Sequence, residues 1–369
     1  MVLTLANSIA FQSKDVKNKE LILNTLLLPG KKKTVSCRGT QVAICGCGAI
    51  AQQHVAYLEQ ISDVNIRACW NRREELYLAE LMKARTNAEY STDDYMKIAN
   101  DPYVDVVYIC NWHNERLKLL EAFARAGKAV FMEKPLTLLP DELREMNRIL
   151  KRYPIFFQSG YKIRFHSLIE ELRRKIKTPN LIVSQVSDVQ GSEMTPGSVR
   201  DIGGGHIVCQ GVYAAESLRV LAGSEPVSVS GMQNTSVDNN CIHGSLTASF
   251  RFANGVIGNI IVTDSGMAGT DISKFFVEVF GDETSIVLSE RYSKLTIRDV
   301  AGKEKVIFAS EDGFQKQSVA FFHSLKNKQS APCDFREGAI PSIMIFKAIE
   351  SAERKVEVPI DVDRWLNAE

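Results

Sequence analysis

The sequence predicts a doubly wound α/β domain followed by an α+β domain, on three observations. A glycine turn joins an apolar run to a helical segment near residue 46. Apolar runs then alternate with helical stretches to about residue 160. Beyond about residue 180, β-rich runs follow one another with Gly, Asn or Asp turns between them. Strand–helix alternation implies a parallel sheet with crossover helices, and successive strands imply a mostly antiparallel one. The expected layout is an extension over 1–38, a dinucleotide-type domain over 39–159 and a substrate-binding and oligomerisation domain over 160–369.

In chain order, Gln41 to Cys45 is a short apolar strand ended by glycine, and Ala49 to Gln60 can form a helix. Asn65 to Trp70 is a second strand, followed by the charged helical stretch Glu74 to Thr86. The β-branched run Val104 to Cys110 reads as a buried strand. Leu117 to Ala126 is helical and stops at Gly127, a suitable C-terminal cap. Ala129 to Met132 and Ile155 to Gln158 are strands on either side of an amphipathic helix, Asp141 to Arg152. Further on, Leu181 to Val186, Ser245 to Phe252, Val256 to Thr263, Phe275 to Phe280 and Ser285 to Leu288 read as strands. Helices are expected at Val212 to Leu221, Gln315 to Lys326 and Pro341 to Glu353. The segment 11–38 carries one apolar patch, Leu21 to Leu28, suited to packing on the body or on a partner subunit.

Composition narrows the function classes. The chain has 369 residues, 45% hydrophobic and 24% charged, with a formal net charge of +1. That is ordinary globular material with no field to recruit nucleic acid or membrane. The run Lys31-Lys32-Lys33 is short, beside Gly30, and reads as a solvated linker. No window reaches the ~18 consecutive apolar residues of a membrane helix. Met1 to Ala10 lacks the charged start of a secretory signal. Eight cysteines scattered through strands and helices suit a reducing cytoplasm. No internal repeat or low-complexity tract is present.

The turn Gly46-Cys47-Gly48-Ala49-Ile50-Ala51 calls for small residues at defined places. Gly46 permits the tight turn, Gly48 lets the backbone approach a pyrophosphate, and Ala51 lets the helix pack on its strand. The helix N-terminus then offers unpaired N–H groups to the phosphates. A structural strand–helix turn would look similar, but the strand before, helix after and second strand about 20 residues on favour a dinucleotide and a Rossmann sheet. At the end of the second strand the sequence is Trp70-Asn71-Arg72-Arg73. No acid stands there for the ribose of NAD. Asn71 can hydrogen-bond either form, and Arg72 can pair with the 2′-phosphate of NADP. Glu74 and Glu75 could neutralise these arginines instead, so either cofactor fits, with Arg72 tilting the reading to NADP.

Glu133-Lys134-Pro135 follows a parallel strand at the edge where open α/β sheets bind ligands. With the glycine turn, the Ala126-Gly127-Lys128 turn, Gly160-Tyr161 to Arg164-Phe165 and Gly203-Gly204-Gly205 before a helix, the chain resembles the glucose–fructose oxidoreductase / inositol dehydrogenase (Gfo/Idh/MocA) family from residue 40 onward. The resemblance implies reversible hydride transfer at a hydroxyl-bearing carbon of a sugar, aminosugar, cyclitol or related small molecule. It implies that Lys134 is the catalytic lysine and that Glu133 belongs to the cofactor edge. Beside an oxidised nicotinamide and partly desolvated, Lys134 should have a lowered pKa and could relay the hydroxyl proton.

The chain departs from the family after the glycine triplet. Where many members carry Asp and, four residues on, His, this sequence has Cys209 and Tyr213. Glucose–fructose oxidoreductase and the dihydrodiol dehydrogenases are similar in placing Tyr there, and a phenol could transfer a proton if Lys134 lowered its pKa. Cys209 could be apolar packing, could line a pocket for a substrate lacking the usual hydroxyl, or could mark loss of turnover. His206 could donate to substrate, and two residues, His206 and Cys209, do not make a zinc site, so no metal is expected. Cys45 and Cys47 read as local packing. Asn111 and Trp112 end a strand at the cofactor edge, where Trp112 could wall the nicotinamide or substrate, or cap the core. Lys162 and Arg164 could contact substrate, although Arg164 reads better as a structural ion pair. The first functional expectation is therefore an NAD(P)-dependent oxidoreductase of a small molecule, as a homodimer or homotetramer. A cofactor-binding protein without turnover, or a lyase or hydrolase working by transient oxidation with bound NAD, are the alternatives.

Overall fold

The computed structural model describes residues 39–188, 204–238, 241–266 and 274–368. The expectations for 1–38, including Lys31 to Lys33 and the Leu21 to Leu28 patch, and the placement of Gly203 lie outside the described residues. The described chain falls into two compact units, one of residues 39–111 and 122–131, the other of residues 112–121 and 132–368.

The first sheet uses β1 (Thr40–Cys45), β2 (Val64–Trp70), β3 (Tyr90–Thr92), β4 (Val106–Ile109), β5 (Ala129–Glu133) and β6 (Phe157–Gly160) in the order β3-β2-β1-β4-β5-β6. β1 pairs in parallel with both β2 and β4, and β2 with β3. The chain therefore reverses its direction of growth beside β1, which is the switch point where such sheets bind ligands. Helices α1 (Ala49–Leu58), α2 (Leu76–Thr86), α3 (Tyr95–Ala99), α4 (Arg116–Arg125) and α5 (Pro140–Arg152) make the crossovers. The run of buried residues in β1 and β4 is what a strand covered on both faces requires. Ala51 is fully buried where α1 meets the sheet.

In the second unit α6 (Ser167–Lys175) precedes β7 (Pro179–Ser187) and α7 (His206–Ala222). The strands β8 (Pro226–Asp238), β9 (Cys241–Phe252), β10 (Ile257–Thr263), β11 (Phe275–Gly281), β12 (Thr284–Ser289), β13 (Lys294–Asp299) and β14 (Glu304–Phe308) follow. The chain ends with α8 (Phe314–Lys326), α9 (Phe335–Arg354), β15 (Val358–Pro359) and α10 (Val362–Leu366). The order is β14-β13-β12-β11-β7-β10-β9-β8-β15. β7 and β10 run parallel, while the other pairs are antiparallel. One face carries Ile182, Ser184, Val186, Leu246, Ala248 and Phe250, all buried, against α7 and α9. The other face is open and bears Met232, Ile257 and Phe280.

Two helices start earlier than the sequence suggests. α7 begins at His206, not Val212, because Gly205 takes φ +83° as its cap and Gly211 sits inside the helix against Ile345. A Cβ on Gly205 would lie 2.9 Å from that of Ile242, so the glycine allows the helix start to touch β9. α9 begins at Phe335, not Pro341. Asp334 caps it by accepting from Glu337 N at 2.9 Å, which leaves Pro341 within the helix. The polar strand β8 and the short β3, β13, β14 and β15 carry too little apolar alternation to announce themselves.

Arg164 ties this unit together. Its Nε donates to Glu216 Oε1 at 2.8 Å and its Nη1 to Glu337 Oε2 at 3.2 Å, with Glu216 fully buried. The ion-pair reading of Arg164 is what the geometry gives. Removing one partner of a buried pair leaves an uncompensated charge, so Arg164→Leu is expected to cost about 3–5 kcal/mol. Urea unfolding at neutral pH checks this, and a loss under 1 kcal/mol would refute the buried-pair argument.

Candidate active site

In the first unit, the residues expected to meet a dinucleotide gather at the C-terminal ends of β1, β2 and β4. Gly46 has φ +89°, and a Cβ there would lie 2.4 Å from Asn111 N. Its N–H donates to Trp70 O at 2.9 Å. Gly46 is thus demanded by the protein itself. Gly48 is not: a Cβ there would meet no described atom within 4 Å. It caps α1, whose first turn receives no side-chain hydrogen bond and holds no acid. Gly48, Ala49 and Ile50 are partly exposed. The first N–H groups of α1 therefore face an open, acid-free cradle, which fits an anionic pyrophosphate.

Cys47 turns inward, donating to Trp70 O at 3.5 Å, and Cys45, Cys47, Cys69 and Cys110 are all buried free thiols. Burial pushes Cys45 and Cys47 well above the usual thiol range, so packing accounts for them. At the tip of β2, buried Asn71 accepts from Arg72 N at 3.0 Å. Arg72 Nη2 pairs with Glu75 Oε2 at 3.2 Å, both side chains about one-third exposed. Such a pair is worth little in water and can be exchanged for a phosphate. The neutralising partner is Glu75, one of the two acids weighed from sequence.

In the second unit, Lys134 follows β5 and is joined to Pro135 by a cis peptide bond. Its Nζ donates to Cys209 O at 3.1 Å and lies 4.0 Å from the centroid of the Tyr213 ring. Glu133 is buried and accepts from Lys134 N at 3.1 Å. Burial holds the Lys134 amine below the ordinary lysine range; Cys209 and Glu133 oppose that shift and the charge of Arg116 adds to it. Buried Arg116 donates from Nη1 to both Glu133 O and Pro135 O. Nothing in the sequence order ties residue 116 to residues 133 and 135, and the sequence reading missed it.

Tyr213 differs from expectation. Its hydroxyl is pushed well above the usual phenol range, by burial first and then by Glu133, Cys209 and Asp312. The ammonium of Lys134 sits over the ring face and does not offset this. Tyr213 is thereby a neutral phenol, packed edge-on to Phe275 at 5.2 Å. His206 begins α7, is buried, and is lowered to about 4, by burial and then Lys274, with Lys134 adding and Asp188 and Asp264 opposing. It stays a neutral imidazole at neutral pH. Cys209 is buried, and it is its carbonyl, not its thiol, that holds Lys134.

Two further candidates lie in this unit. Lys162 Nζ pairs with Asp312 Oδ2 at 3.2 Å and lies 4.3 Å from the Phe314 centroid, and Asp312 is one of the charges that act on Tyr213. Trp112 is 37% exposed and edge-on to His113 at 5.9 Å, so part of it is open to solvent. Among the described residues no group of three or more His, Cys, Asp or Glu is placed to hold a metal, and no helix is long and apolar enough to cross a membrane.

Comparison with known proteins agrees with this fold. Myo-inositol 2-dehydrogenase of Thermotoga maritima is 23% identical over 340 residues, covering 87% of this chain and 98% of the relative. The aldose–aldose oxidoreductase of Caulobacter crescentus, complexed with glycerol, superimposes with a TM-score of 0.77 at 18% identity, covering 88% of this chain and 100% of that one. Levoglucosan dehydrogenase in complex with NADH and levoglucosan gives 0.77 at 19% identity, covering 87% and 99%. Residues 40–161 match the family described as "Oxidoreductase family, NAD-binding Rossmann fold", and residues 181–287 match the "GFO/IDH/MocA C-terminal domain". With an uncapped helix start beyond β1, a half-buried lysine after β5 and both halves matched, the chain belongs to the Gfo/Idh/MocA family of oxidoreductases.

Proposed function

We propose that this protein is an NAD(P)-dependent dehydrogenase or reductase that moves a hydride between nicotinamide and a hydroxyl-bearing carbon of a sugar, aminosugar, cyclitol or related small molecule. The observation that carries the proposal is the partly desolvated Lys134 amine held between Cys209 O and the Tyr213 ring. The relatives named above as inositol, aldose and levoglucosan enzymes support the substrate class. When bound, the oxidised dinucleotide supplies the hydride acceptor. Gly46, Gly48, Ala49 and Ile50 receive its pyrophosphate, Asn71 and Arg72 its adenosine ribose, and Asn111, Trp112 and Glu133 belong to its nicotinamide end. Lys134 accepts or returns the hydroxyl proton. Tyr213, as a neutral phenol, donates a hydrogen bond to the substrate oxygen, and His206 assists as a neutral donor. Cys209 and Lys162 line the substrate side. The apolar residues on the open face of the second sheet support assembly into a homodimer or homotetramer.

Gly48→Ala separates binding from folding. Since no described atom opposes the added methyl, stability should stay within about 1 kcal/mol, while the Kd for NADH and NADPH rises at least about tenfold through loss of close approach. Thermal unfolding and fluorescence titration read both, and unchanged binding would remove the turn from the site. For the choice of cofactor, Arg72→Ala should weaken NADPH about tenfold or more, the worth of one charged hydrogen bond, and NADH less than threefold. Equal effects on the two would end the NADP reading.

Turnover of a panel containing myo-inositol, glucose and levoglucosan tests the reaction. Lys134→Ala should lower kcat by about 10²–10⁴-fold, the span of a lost acid–base group. Tyr213→Phe should lower it about two- to tenfold, the loss of one neutral hydrogen bond. Because burial lowers the Lys134 pKa, the neutral amine gains population at lower pH than an ordinary lysine does. The rate of alcohol oxidation should therefore rise with pH along a limb below about 10.4, and Lys134→Ala should abolish that limb. Full activity in Lys134→Ala would overturn the mechanism. Product without net cofactor change would identify transient oxidation, and dinucleotide binding without product a sensor.

A further inference from the structure

Arg116 is a buried cation in the same unit as Lys134, and its partners frame that lysine in the chain. From the first residue of α4, Nη1 donates to the carbonyl of Glu133 on one side and of Pro135 on the other. Arg116 as a whole is only 3% exposed. Two carbonyls sharing one donor are drawn toward a common point, so the backbone carrying Lys134 is fixed at both flanks. From that position its side chain reaches Cys209 O at 3.1 Å and the Tyr213 ring at 4.0 Å.

We propose that Arg116 is the positioning residue of the reaction: by clasping the carbonyls on either side of Lys134 it sets where the amine stands against the substrate hydroxyl. This rests on the reading of Lys134 as the proton-transferring group. In this role Arg116 acts through the two carbonyls it holds. Its second effect is electrostatic, since its fixed charge disfavours the ammonium form of Lys134, along with burial and against Cys209 and Glu133. The Tyr213 ring covers the amine from α7. A helix-to-loop tie that served the fold alone would use the hydrogen bonds without changing how Lys134 titrates.

The test uses the full chain with Arg116→Met, which removes donor and charge at similar size, and Arg116→Lys, which keeps a charge and a nitrogen able to donate to two carbonyls. In Arg116→Met, kcat on the best substrate of the panel should fall about 10–100-fold, the cost of an ångström-scale misplacement. KM and dinucleotide Kd should stay within threefold. Arg116→Lys should recover at least a third of the lost factor on a logarithmic scale. Independently of turnover, the reactivity of Lys134 toward acetic anhydride, followed by mass spectrometry against pH, should titrate at higher pH in Arg116→Met than in wild type and return in Arg116→Lys. If Arg116→Met does not fold, Arg116→Gln, which loses the charge but keeps an N–H donor, carries the titration. Unchanged kcat, or an unchanged Lys134 titration in a folded charge-free variant, overturns the proposal. A wild type that turns over nothing in the panel while its Lys134 titration still shifts on loss of Arg116 retires the dehydrogenase reading and leaves the clasp standing.

Discussion

The site depends on keeping one amine out of bulk water without leaving it unpaired. An isolated ammonium in an apolar medium is so costly that it surrenders its proton instead. Lys134 has a backbone carbonyl, a ring face and a nearby carboxylate. These are weaker partners than the two carboxylates, Glu216 and Glu337, that hold Arg164 in the same unit. The two cations illustrate opposite balances. Around Arg164, the fully buried Glu216 and the partly exposed Glu337 outweigh burial and hold the charge on. Around Lys134, burial outweighs the available negative groups, and Arg116 tips the balance further. A residue locked as a cation stabilises a fold, and a residue near the balance can exchange a proton.

The dinucleotide edge follows a different logic, in which empty space is the signal. Gly46 has to be glycine because a backbone sits where its side chain would go. Gly48 has no such neighbour among the described residues, which leaves room for a phosphate to approach its backbone. The first turn of α1 likewise shows neither a side-chain cap nor an acid of its own at its N–H groups. Arg72 differs again: its partner Glu75 is a stand-in about one-third exposed, which can yield to a better anion at little cost.

What could be read from sequence was what depends on neighbours in the chain. The glycine turn, the strand–helix alternation and Glu133-Lys134-Pro135 are all local, and they led to the right sheet, the right second fold and the family. The early start of α7 was illegible because Gly205 and Gly211 count against a helix, and only the approach of Ile242 and Ile345 explains them. Pro341 looked like a helix start for the ordinary reason that its missing N–H does no harm there. Arg116 could not be read, because the contact that matters joins it to carbonyls 17 and 19 residues away. The state of Tyr213 was misjudged for a related reason. A cation close in space was expected to lower the phenol, but placement over the ring face leaves the hydroxyl to burial.

Cys209 raised the question of turnover, and the geometry changes how that question is put. A carboxylate at this position would hold a substrate hydroxyl, and a buried thiol cannot. The link from α7 to Lys134, however, is made by the carbonyl of residue 209, which every amino acid possesses. Replacing an acid by Cys therefore removes a substrate contact while leaving the anchor of the amine in place. On the proposed reading, Cys209 would bear first on which hydroxyl pattern is recognised, while its carbonyl keeps its hold on Lys134.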